Sequence, residues 1–199
     1  FFFLYLICLL RGWRQEGKRW YVYLGLLLGA SFYVYFYSFT FLLALTGTSI
    51  ITSLCIKRYT QATNFIMVFI GGTIIGSPVI YQLYTFISHP LYQDLTSIFG
   101  YHLSHRPIVS MVGIVTTSLF VLWYFLKGKK GTKEKSDMFF ILSLILTSFV
   151  VINQQVLTGR ILEEGHYHWY FNTPIFIITL LWLGWKMWGA SNTVLVRGV

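Results

Sequence analysis

Long apolar runs alternate with short clusters of Lys and Arg along this chain, and the alternation predicts helices that cross a membrane. The run FFFLYLICLL (1–10) gives way to RGWRQEGKRW, where Arg11, Arg14, Lys18 and Arg19 meet a single acid, Glu16. Then come 36 residues without a charge, Tyr21 to Ile56, closed by Lys57 and Arg58. As helix that run measures about 54 Å, too long for one crossing of a core about 30 Å thick and short for two full ones. Both of its ends are basic, so the number of crossings between them is even. A tight hairpin of two short helices follows, turning near Ser31–Ser38; one long tilted helix with a re-entrant piece is the alternative. Gly25 and Gly29 form a small-residue face on the first helix of the hairpin, which lets helices approach closely.

Residues 62–86 make a further span, whose GGTIIGSP stretch combines Gly72 and Gly76 with Pro78 and predicts close packing and a kink. Between 87 and 106, Leu91, Leu95, Ile98, Phe99 and Leu103 recur at helical spacing and predict an amphipathic helix lying in the interface. Residues 107–127 cross back to a segment with five lysines between positions 127 and 135. A short span over 138–153 leads out again, and Asn172, Thr173 and Pro174 read as the cap and first turn of a last span running to about Trp188. Trp182, Trp185, Lys186 and Trp188 suit its inner interface. The expected fold is all-α: one polytopic bundle over 1–199 with about six spans. These include one truncated span and one short hairpin, with the interfacial helix in addition.

Composition supports the pattern. Apolar residues make up 56% of the chain and charged residues 11%, against about 25% charged in soluble domains. The net charge of +9 sits in clusters between apolar runs rather than along one face, which argues against nucleic acid. Lys- and Arg-dense loops stay in the cytoplasm, so loops 87–106 and 153–173 are expected outside the cytoplasmic membrane of a bacterium. Cys8 and Cys55 fall in apolar runs and read as buried thiols. The chain opens within an apolar run and without Met, which reads as a piece of a longer multi-pass protein.

On that topology the chemistry gathers on one side. His89, His102, His105, His166 and His168 all fall in the two outer loops, with Asp94, Arg106, Arg160, Glu163 and Glu164. The densest block is NQQVLTGRILEEGHYHWYFNTP (153–174), expected to bind a polar head group such as a sugar or sugar phosphate. Arg106 and Arg160 offer the bidentate fork that suits phosphate. Tyr167, Trp169 and Tyr170 offer flat faces to a sugar ring, with His105, His166 and His168 beside them. Asp94, Glu163 and Glu164 are the carboxylates available as general base. Taken as an extended segment, His166 and His168 point to one side and, with Glu163 or Glu164, compose a set for a divalent metal ion, although no established metal spacing is present. No histidine lies mid-span, which argues against haem.

Two further classes of function fit an apolar helical chain. A transporter or channel subunit calls for ionisable residues or broken helices near mid-membrane, and only GGTIIGSP is such a break. A scaffold or assembly protein would leave the outer polar residues in no convergent pocket.

The basic loop followed by GLLLGASFYVYFYSFTF, the GGTIIGSP helix, the outer loop ending His-Arg-Pro and the NQQVLTGRILEEGHYHWY block together resemble bacterial multi-pass glycosyltransferases of the GT-C type. The resemblance is one of layout over most of the chain. It implies a sugar moved from a polyprenyl-phosphate carrier to an acceptor outside the cytoplasmic membrane, with membrane lipids and the lipid-linked donor as partners. It also implies a catalytic acid in a first outer loop, which this sequence does not contain. Arg106 and Arg160 would then face the donor phosphate, and 163–170 the sugar or acceptor.

Overall fold

The structure, a computed structural model, describes residues 1–92, 105–127, 132–159 and 164–196, with the side chains of 127, 132–134, 164 and 188–196 excepted. Every regular element among them is helical. In chain order these are α1 (Phe2–Trp13), α2 (Arg19–Ser31), α3 (Phe36–Cys55), α4 (Tyr59–Ile87), α5 (Met111–Lys127), α6 (Thr132–Ile152), α7 (Gln154–Thr158), α8 (Glu164–Tyr167), a π turn (His168–Asn172) and α9 (Thr173–Val196). Three helices are long and apolar enough to cross a bilayer: α3, α4 and the Lys135–Ile152 part of α6. The protein is a membrane protein of the helical class. Helices α1 and α2, of 12 and 13 residues, reach only about 20 Å each, short of the roughly 30 Å hydrocarbon core.

The uncharged run of 36 residues does fold back on itself, breaking between Ser31 and Phe36 inside the expected turn. What locks α2 in place is α4, through interlocked glycines. A Cβ on Gly29 would stand 2.5 Å from Cβ of Ile75, one on Gly72 2.6 Å from Leu28, and one on Gly76 2.4 Å from the ring of Phe32. All three distances lie well inside van der Waals contact, so each glycine is a socket for a side chain of the opposite helix. In a lipid surround, where burying apolar surface gains little, such close backbone approach is what holds helices together. Pro78 lies within α4 and does not end it.

A different chemistry joins α3 to α6. Hydroxyls of Thr48 and Thr147 bond at 2.6 Å, Ser143 reaches Thr52 at 3.3 Å, and Thr48 also donates to the Ser143 carbonyl. Tyr5 on α1 bonds Thr46 at 2.6 Å, with both residues fully buried. Small hydroxyl side chains thus fasten the centre of the bundle at modest energy.

The two ends of the bundle differ. At one, α1 and α3 finish in left-handed turns at Gln15 (φ 57°) and Lys57 (φ 59°), each closed by a pair of backbone bonds to the last helical turn. There the Arg14 guanidinium grips Asp137 of α6 with two bonds, at 2.7 and 3.0 Å. Arg58 donates to Ser136 at 3.0 Å, and Gln61 donates to the carbonyls of Gly12 and Trp13. Arg11 pairs with Glu16. This is the basic end. The break between α2 and α3, the start of α5 and the segment from 153 to 172 all lie at the other end.

Candidate functional site

Two segments expected to share a side do meet. The irregular stretch 105–110 lies against the turn that follows α6, and amide side chains hold it there. Asn153 accepts from the Ile108 N–H at 2.7 Å through Oδ1, and its Nδ2 donates to the carbonyls of Ile108 (3.2 Å) and Phe149 (3.0 Å). Gln155, 1% exposed, donates to the Arg106 carbonyl at 3.1 Å. The His105 imidazole donates through Nδ1 to the Val156 carbonyl at 3.0 Å. Its ring covers Gly159, whose left-handed φ of 70° ends α7 and leaves no room for a side chain: a Cβ would sit 3.0 Å from the imidazole. Asn153 and Gln155 thereby give the backbone of an irregular segment the partners that regular structure would otherwise supply.

A second cluster forms where the α2–α3 turn meets α8. The Tyr35 hydroxyl bonds Nδ1 of His166. Three rings surround that imidazole, with centroids 6.0 Å (Tyr35), 4.5 Å (Tyr37) and 5.7 Å (Tyr170) away. Below it, the Tyr167 hydroxyl bonds Thr40 at 2.8 Å, and its ring stands edge-on to Tyr37 at 5.1 Å. Burial pushes the Tyr167 phenol above its ordinary pKa, with the Thr40 bond opposing, so the hydroxyl keeps its proton. The π turn follows directly. Thr173 donates to the His168 carbonyl at 2.8 Å, and Asn172 donates to the Ser148 carbonyl at 3.1 Å. Turns of this kind are frequent at functional positions.

The structure sorts the sequence candidates. His105 and Arg106 stand at the exposed rim, and His166 is half-buried at the centre of the tyrosine cluster. Trp169 is exposed, with the half-buried His168 ring edge-on to it at 5.1 Å. Tyr167, expected to stack on a sugar, is only 2% exposed and belongs to the packing beneath the site. His166 and His168 were expected on one side of an extended segment. They fall instead in consecutive helical turns, where residues two apart diverge. Among the described residues no three His, Cys, Asp or Glu side chains gather as a metal site. Asp94, His102, Arg160 and Glu163 lie outside the described residues, as does most of the amphipathic helix expected over 87–106. Glu164 is described only as the first residue of α8.

Tyr35 and Tyr37 are not among the sequence candidates, and Asn153 and Gln155 entered only as part of the block 153–174. The tyrosines of SFYVYFYS signal an interfacial turn, but nothing local shows that His166 comes to rest among them. No known protein family, curated protein or solved structure matches the chain.

Proposed function

We propose that the protein is a membrane-embedded glycosyltransferase of the GT-C kind that binds a polyprenyl-phosphate-linked sugar at the aromatic end of the bundle. On this reading the chain crosses the bacterial cytoplasmic membrane six times with the aromatic end outside. The supporting observation is the convergence of Tyr35, Tyr37, His166 and Tyr170 at the same end as the docked segment bearing His105 and Arg106. Tyrosine rings and an imidazole suit a sugar, offering flat faces and neutral hydrogen-bonding groups together. Arg106, with Arg160 from the same outer region, supplies the planar fork for the phosphate that links sugar to lipid. Asp94, Glu163 and Glu164 are the carboxylates the sequence places on this side, and none is assigned the catalytic step.

The reading is tested by binding of a polyprenyl-phosphate sugar to purified protein. Arg106→Ala and Arg160→Ala are each expected to weaken binding at least tenfold, and His166→Ala severalfold. Binding unchanged in all three variants would rule the reading out. A transporter is the second reading. It draws on the π turn before α9 and on the buried Asn172 Oδ1, which has no hydrogen-bond partner among the described residues. Substrate flux into sealed vesicles without product formation would favour it.

A further inference from the structure

The basic end carries more positive charge than its own acids answer. Glu16 is shared by Arg11 and Arg14, and Asp137 is gripped by Arg14. Arg58 spends its guanidinium on Ser136 and the face of Phe139. Lys18, Arg19 and Lys57 have no ion pair among the described residues.

Their placement runs against the electrostatics of the helices that carry them. Lys18 is the N-cap of α2 and Arg19 its first residue; the first turn holds no acid, and no side chain caps it. Arg58 begins α4 in the same way. A helix N-terminus is the positive end of the helix dipole and favours anions, so cations there repel both it and one another. Lys57 adds a second cost, since it occupies a left-handed turn where glycine would be at ease. A solvated loop has no reason to combine these features. A surface meeting negative charge does, because the same cations and exposed helix ends then act together on one anion layer. Trp20, flanked by the guanidinium groups of Arg11 and Arg19 at 5.6 and 5.3 Å, is the kind of residue that marks the headgroup level.

We infer that the basic end is an anionic-phospholipid binding surface, with Lys18, Arg19 and Lys57 as its contacts to lipid phosphate. The inference is independent of any sugar chemistry at the opposite end. It predicts that the purified protein, offered equal amounts of phosphatidylglycerol and phosphatidylcholine in detergent, retains the anionic lipid at least fivefold over the zwitterionic one by native mass spectrometry. Replacing Lys18, Arg19 and Lys57 together by Gln is expected to abolish that preference, while Arg106→Gln leaves it intact. Lys57→Gly separates binding from folding: it relieves the left-handed turn, so the protein melts no lower than wild type, yet it lowers the preference. No preference in the wild type, or a preference kept in both the triple variant and Lys57→Gly, would overturn the proposal.

Discussion

Among the described residues, an ion pair fastens one end of this bundle and amide and hydroxyl groups fasten the other. At the basic end Arg14 and Asp137, distant in sequence, tie the α1–α2 loop to the start of α6 with a two-pronged ionic contact. At the aromatic end Asn153, Gln155, Tyr35 and Thr40 do the corresponding work with amide and hydroxyl hydrogen bonds. The difference separates anchoring from recognition. An arginine committed to an acid serves the fold, as Arg14 does, and leaves neighbouring cations such as Lys18 and Lys57 to meet a partner.

The contrast can be broken most severely from the basic side. Asp137→Ala leaves the part-buried Arg14 guanidinium with Glu16 at 3.9 Å in place of its two-pronged contact, and is expected to destabilise the protein by about 3 kcal/mol, read from thermal unfolding in detergent. Next comes Asn153→Ala, which orphans the Ile108 amide; a loss of about 2 kcal/mol is expected. Its sharper mark is faster hydrogen exchange confined to 105–110, with the basic end unchanged. His166→Phe keeps a ring among Tyr35, Tyr37 and Tyr170 but removes the acceptor for Tyr35, and is expected to cost about 1 kcal/mol. Smallest is Thr48→Val in the middle of the bundle, about 0.6 kcal/mol, because a hydroxyl pair between membrane helices contributes little. If salt shifts the melting temperature of the Asn153 variant as strongly as that of the Asp137 variant, the two ends are not chemically distinct as described.

Much of the fold was legible because it rests on local spacing. The GxxxG pairs Gly25–Gly29 and Gly72–Gly76 are visible in the sequence, and Gly29, Gly72 and Gly76 turn out to be the sockets of the α2–α4 seam. The length of the uncharged run gave the hairpin. The site was legible only by region. Block 153–174 does supply Asn153, Gln155, His166 and Tyr170, but their partners Ile108, Arg106, Tyr35 and Tyr37 come from elsewhere in the chain. No periodicity encodes such pairings. Tyr167 was misread for the same reason: an aromatic beside a loop histidine looks free until α3 brings Thr40 and Tyr37 against it. The Arg14–Asp137 contact was equally hidden, since each residue alone resembles an ordinary loop charge.

The π turn at His168–Asn172 makes the length of this segment as decisive as its chemistry. A π turn winds one more residue into the backbone than an α turn, and one residue corresponds to about 100° of rotation about the helix axis. Rewinding it as plain α-helix with every residue kept would swing everything before it through about that angle. Tyr167 would then leave Thr40, and His166 would leave Tyr35, with every one of those side chains still present. Substitutions along this stretch are therefore expected to act one residue at a time, whereas an α turn of the same length would disorient the whole aromatic end at once.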